Sequence, residues 1–160
     1  MELADVADDL TEVLLTETQI HDKIAELARR VEQDYAGERP LLVGVLKGAV
    51  MVMADVAREL KMHVDMDFMA VSSYGASTES SGVVRILKDL DADLEGRHVI
   101  IVEDIIDSGL TLAWLRANLE SRGPASLEIL ALLRKPDAAK VDVDVKYFGF
   151  DIPNAFVVGY

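Results

Sequence analysis

Leu41-Leu42-Val43-Gly44-Val45-Leu46 contains no polar side chain at all. A run that short and without alternation fits a strand buried on both faces, since neither side of it meets water. Such a strand needs a sheet with helices above and below it, and the sequence supplies them in turn. Thr16 to Asp34 places Ile20, Ile24, Leu27, Ala28 and Val31 along one side of an amphipathic helix with a Thr cap, which Gly37-Glu38-Arg39-Pro40 ends. Gly48 to Leu60 reads as a second helix, and Leu110 to Ser121, closed by Arg122-Gly123-Pro124, as a third. Further strands are expected at Val64 to Val71, Val83 to Leu87, His98 to Val102, Ser126 to Leu133, Val141 to Phe148 and Phe156 to Val158. This alternation predicts an α/β fold, a mostly parallel central sheet flanked by helices. Ligands then belong at the carboxyl ends of the strands, just after residues 46, 71, 103 and 133.

No repeat or Pro/Gly/Ser linker divides the 160 residues, so one domain, 1–160, is expected. The chain is 51% hydrophobic, which excludes disorder despite the net charge of 16 − 29 = −13. That acidity also argues against a nucleic-acid partner. The longest apolar run, Ala49 to Ala54, is far shorter than the ~20 residues that span a bilayer, so no membrane is expected. The opening Met1-Glu2-Leu3-Ala4-Asp5 is acidic where a signal peptide would be basic, and the expected location is cytoplasmic. With no cysteine, thiolate catalysis, disulfides and Cys-ligated metals are excluded together. His21, His63 and His98 form neither a metal-spaced pair nor part of a Ser/His/Asp set, and Trp114, Met51 and Met53 read as packing residues.

The chemistry concentrates in Glu103-Asp104-Ile105-Ile106-Asp107-Ser108-Gly109-Leu110-Thr111, between a strand and a helix. Adjacent carboxylates at a strand end are costly as core residues. The run from Asp107 to Thr111 enters a helix N-terminus, where free N–H groups, two hydroxyls and a glycine make a phosphate cradle. A capped turn beside a solvated acidic pair has the same spacing, so both readings stand on the residues alone. No Walker A pattern occurs. Ser72 to Gly82 is a polar, small-residue loop long enough to be functional.

Val102 to Thr111 resembles the phosphoribosyl-pyrophosphate motif of type I phosphoribosyltransferases. Val45-Leu46-Lys47-Gly48-Ala49, Ala70 to Gly75, Arg134-Lys135-Pro136, Phe150 to Pro153 and Phe156 to Tyr160 resemble, in order and spacing, the bacterial hypoxanthine–guanine branch. The resemblance runs from about Leu14 to Tyr160. It implies the type I phosphoribosyltransferase fold, with a small hood from about 1–16 and 140–160 and a mobile loop at 72–82. It also implies transfer of a 5-phosphoribosyl group from phosphoribosyl pyrophosphate to a 6-oxopurine, giving a nucleoside 5′-monophosphate and pyrophosphate. The same resemblance implies assembly as a homodimer or homotetramer.

The resemblance assigns roles residue by residue. Glu103 and Asp104 would hold the ribose hydroxyls and Mg²⁺, which takes oxygen ligands from carboxylates and substrate phosphates. Asp107 would be the general acid/base at the purine N7, in acidic surroundings that favour its protonated form; the plainer reading is a helix N-cap. Ser108, Gly109, Leu110 and Thr111 would hold the 5′-phosphate. Leu46, Lys47 and Gly48 would face pyrophosphate, through a Leu–Lys peptide that can be cis. Lys135 would donate to the purine O6 and so select against a 6-amino base, although by itself it reads as a solvated lysine. Phe156 would stack on the base, with the Val157 backbone at its edge, as a strand in the hood near Leu14-Leu15. Ser73 and Tyr74 would open the loop that closes over pyrophosphate.

The family continues beyond Gly-Tyr into a segment carrying a further Asp and Arg, so the sequence is expected to be part of a longer chain. Ala155 stands where relatives are often polar. Xanthine is a compatible substrate on these residues. A nucleic-acid-binding regulator on the same fold would need a basic face, and none is seen beyond Arg134-Lys135. A pyrimidine or adenine acceptor is disfavoured by Lys135 and Phe156-Val157.

Overall fold

The computed structural model describes residues 10–73 and 84–160. The strands are β1 (Leu41–Leu46), β2 (Asp65–Ser73), β3 (Val84–Lys88), β4 (His98–Ile106), β5 (Ser126–Arg134) and β6 (Tyr147–Asp151). They form one sheet in the order β3-β2-β1-β4-β5-β6. All neighbours are parallel except β2 and β3, which are antiparallel. The apolar run Leu41 to Leu46 is therefore central, with a strand on either side.

Successive strand residues point to opposite faces, and both faces are covered. On one, Leu42, Ile100 and Leu130 pack under α1 (Glu17–Asp34) and α2 (Val50–Glu59) through Leu27, Val31, Met53 and Val56. On the other, Val43, Ile101 and Ile129 meet Leu112, Leu115 and Leu119 of α3 (Leu110–Glu120). Each buried Leu or Ile side chain contributes about 1.5–3 kcal/mol by leaving water. Thr16 caps α1 as expected: its Oγ1 accepts from Gln19 N–H at 3.2 Å, and Gln19 Oε1 accepts from Thr16 N–H at 2.8 Å. Fully buried Tyr147 donates to Asp34 Oδ2 at 2.6 Å and ties α1 to the edge strand β6. That hydrogen bond, then Lys146 at 3.0 Å, holds the Asp34 carboxyl below its ordinary range.

Several boundaries differ from the sequence expectation. β4 runs on to Ile106, so Glu103 and Asp104 lie within the strand. The reason is its partners: β1 pairs with it only as far as Gly44↔Val102, whereas β5 pairs through Ile106↔Arg134. β2 extends through Ser72 and Ser73, which pair with Arg85 and Val84. The strand expected at Val141 to Phe148 is displaced to Tyr147–Asp151. Its Val-Asp-Val-Asp-Val alternation reflects one-sided packing of Val143 and Val145 on the α3 side, without a strand partner. Phe156 to Val158 does not join the sheet. Met53 is buried but Met51 is 53% exposed, so only the first is a packing residue. No helix of the described residues is long and apolar enough to cross a membrane.

Candidate active site

The pairing of β1 with β4 ends at Gly44↔Val102, at the point where the strand order reverses and where ligands bind in open α/β sheets. The chain leaves β1 through a cis peptide between Leu46 and Lys47, and turns into α2 with Lys47 and Gly48 exposed. From β4, the Asp104 carboxylate reaches this turn. A Cβ on Gly48 would stand 2.5 Å from Asp104 Oδ2, while Oδ1 accepts from Ile105 N–H at 2.9 Å. Burial, and then the Asp104 charge, push the neighbouring Glu103 carboxyl up to about 8.

After Ile106 the backbone turns through Asp107 and Ser108 into α3. Gly109 makes this turn in the left-handed region (φ 78°) with Val141 packed against it. Leu110 N–H reaches Ser108 Oγ at 3.4 Å. Gly109, as N-cap, has no side chain with which to satisfy the remaining first-turn N–H groups, and these suit an anion. The Ser108 carbonyl is fixed from behind by Lys140 N–H at 2.9 Å.

Lys135 follows β5, with its N–H on the Ile106 carbonyl at 2.9 Å. Its side chain is buried, and Nζ lies 3.3 Å from Oδ2 of the exposed Asp107. The acidic surroundings expected for Asp107 thus include a cation in direct contact. Asp107 and Ile106 form the wall between two cavities. One, about 160 Å³, is lined by Glu103, Asp107, Ser108, Gly109 and Thr111; the other, about 270 Å³, by Lys135, Arg134 and Val141.

The structure thus gathers Glu103, Asp104, Asp107, Ser108, Gly109, Leu110, Thr111 and Lys135, and brings Gly48 against Asp104. Phe156 is 93% exposed, and neither it nor Val157 lines either of these cavities. Ser73 ends β2. Tyr74 and the remaining loop residues to Gly82 lie outside the described residues. Ile105 and Leu112, which line the smaller cavity, were not singled out by the sequence; their apolar character reads as core in any strand or helix.

A metal that bridges carboxylates and substrate phosphates needs only one or two protein ligands. Glu103 and Asp104 are the carboxylates of β4, Glu103 on the smaller cavity and Asp104 against Gly48, and no group of three or more His, Cys, Asp or Glu suited to a metal exists among the described residues.

Residues 12–160 match the family described as phosphoribosyl transferase domain. The chain is 57% identical over 158 residues to the hypoxanthine-guanine phosphoribosyltransferase of Mycobacterium tuberculosis (strain ATCC 25618 / H37Rv), covering 95% of this chain and 78% of that protein. It is 48% identical to the Bacillus subtilis (strain 168) protein of the same name, covering 95% of this chain and 84% of that one. Among solved structures, a hypoxanthine phosphoribosyltransferase from Staphylococcus aureus is similar with a TM-score of 0.94 at 46% identity, covering 98% of this chain and 85% of that one.

Proposed function

The chain belongs to the hypoxanthine–guanine phosphoribosyltransferases of the phosphoribosyl transferase family, and from that premise we propose which residues carry each part of the reaction. The enzyme moves the 5-phosphoribosyl group from phosphoribosyl pyrophosphate to hypoxanthine or guanine, giving IMP or GMP and pyrophosphate in purine salvage. Positive charge develops on the ribose ring and negative charge on the leaving group, so the protein acts mainly by positioning and electrostatics.

Ser108, Gly109, Leu110 and Thr111 hold the 5′-phosphate on the first turn of α3. Glu103 and Asp104 accept from the ribose hydroxyls and are the two residues that would hold Mg²⁺. When bound, the metal neutralises charge on pyrophosphate. Lys47 and Gly48, with the backbone at Leu46, receive pyrophosphate at the turn that Asp104 reaches. Ser73, at the end of β2, and Tyr74 are assigned to pyrophosphate with them.

Asp107 holds or accepts the proton at the purine N7. Lys135 donates to O6, leaving a 6-amino base facing a donor with a donor. Phe156 stacks on the base, and the Val157 backbone meets its edge. The observation that carries this reading is the 3.3 Å contact between Lys135 Nζ and Asp107 Oδ2, because O6 and N7 are neighbouring atoms on one edge of a purine. A cytoplasmic homodimer or homotetramer completes the proposal; exposed Val50, Met51, Met66 and Leu87 provide apolar surface for assembly.

The test is a spectrophotometric panel of hypoxanthine, guanine, xanthine, adenine and uracil with phosphoribosyl pyrophosphate and Mg²⁺. Turnover of hypoxanthine and guanine is expected, with none for adenine or uracil. Equal turnover of adenine would remove Lys135 from base selection.

A further inference from the structure

Lys135 and the segment leading to Phe156 leave the sheet from neighbouring strands, and one side chain joins their exits. Arg134, the last residue of β5, is paired in register with Asp151, the last of β6. Its Nε donates to Asp151 Oδ1 at 2.7 Å and its Nη2 to Oδ2 at 3.1 Å. The guanidinium also lies over the Phe148 ring, 4.0 Å from its centroid. The Arg134 carbonyl accepts from Ile152 N–H at 2.8 Å. Ile152 is buried, and the chain from Pro153 to Phe156 is exposed. Arg134 is therefore a tether directly before this exposed stretch, whose far end is held by the Tyr160 hydroxyl on Asp55, and it is the residue directly before Lys135.

We propose that Arg134 is a positioning residue for base recognition, fixing through its fork to Asp151 both Lys135 and the chain that carries Phe156 and Val157. The proposal rests on the assignment of those three residues to the purine.

An isolated, partly exposed ion pair contributes little to stability. The fork's value here is geometric. Two parallel hydrogen bonds fix the angle between the strand ends in a way that a single point charge does not. Lysine at 134 keeps the charge and loses the fork, so it is expected to behave like glutamine there. The phosphate turn and the Lys47 turn are held by other contacts, including Lys140 N–H on the Ser108 carbonyl and Asp104 against Gly48, and these leave Arg134 out. Loss of the fork should affect the purine and leave phosphoribosyl pyrophosphate alone.

Steady-state kinetics with each substrate varied in turn tests this in Arg134→Lys, Arg134→Gln, Asp151→Asn and the Arg134→Gln/Asp151→Asn double variant. The expected result is a rise in purine KM of about threefold to tenfold in every variant, with KM for phosphoribosyl pyrophosphate within about twofold of wild type. The double variant should be no worse than either single one, because one interaction is being removed. Arg122→Gln breaks another bidentate pair, with Asp89, and should leave both KM values unchanged. An unchanged purine KM in Arg134→Gln, equal rises in both KM values, or full rescue by lysine would overturn the clamp. Absence of purine turnover in the wild-type protein would instead overturn the site assignment on which it rests.

Discussion

Gly48 and Asp104 compete for the same space: a Cβ at residue 48 would stand 2.5 Å from Oδ2 and 2.8 Å from Cγ of Asp104. The absence of a side chain at 48 lets the carboxylate of β4 touch the turn that follows β1. Gly48→Ala must push that turn away or rotate Asp104 off Ile105 N–H. Both belong to the phosphoribosyl pyrophosphate side of the site. KM for that substrate should rise by about tenfold, equivalent to about 1.4 kcal/mol, with purine KM unchanged. A KM series in both substrates checks this, and equal changes in the two would disconnect the turn from pyrophosphate.

Asp107→Asn keeps an acceptor for Lys135 Nζ but removes the group that exchanges a proton with N7. Its kcat should fall by about 10²–10³, with little change in the Kd of phosphoribosyl pyrophosphate. Single-turnover rates separate that loss from slow product release. Wild-type rates in the variant would end the acid/base role.

Lys135→Gln replaces a donor-only group by an amide that offers either a donor or an acceptor. The ratio of kcat/KM for hypoxanthine over adenine should drop by about tenfold or more. Competition between the two bases in one assay measures the ratio directly, and an unchanged ratio would return Lys135 to a purely structural place beside Asp107.

Gly109 has φ 78°, and a Cβ there would meet both the Val141 side chain and its carbonyl at 3.2 Å. Gly109→Ala should cost about 1–2 kcal/mol from the left-handed backbone, before any cost of moving Val141. For a domain of this size that is a fall in Tm of about 2–8 °C, read in a thermal melt. Weaker binding of GMP should accompany it, since the same turn presents the first N–H groups of α3.

The strands and caps that were legible in the sequence owe their form to neighbours along the chain. Leu41 to Leu46 announces a central strand because every residue lacks a polar side chain, and Thr16 before the stripe from Ile20 to Val31 announces a helix start. The end of β4 was not legible, because it is set by how far β5 pairs after β1 has stopped. Val141 to Val145 alternates like a strand but finds no partner, since its valines pack from one side. The site divides the same way. The run from Glu103 to Thr111 is contiguous and could be read, whereas the contact of Gly48 with Asp104 and the Arg134–Asp151 fork come from sheet order and register. A pairing across the sheet leaves no spacing pattern in one sequence.

Glu103 gives the protein a pH dependence with a definite sign. Burial and the Asp104 charge raise its carboxyl from 4.5 in the unfolded chain to about 8 in the folded one. Between those values the folded protein holds a proton that the unfolded chain has released, so stability falls as pH rises through the window. Its favourable contribution is fully present below pH 4.5 and is lost above about 8. Glu103→Gln cannot ionise, so it removes the dependence while keeping the shape of the protonated acid. The variant should melt several degrees above wild type at pH 8.5, and the two should converge towards pH 5. Thermal melts across pH 5–9, without Mg²⁺ or substrates, decide it: parallel curves for the two proteins would mean that Glu103 is ionised in the folded state throughout.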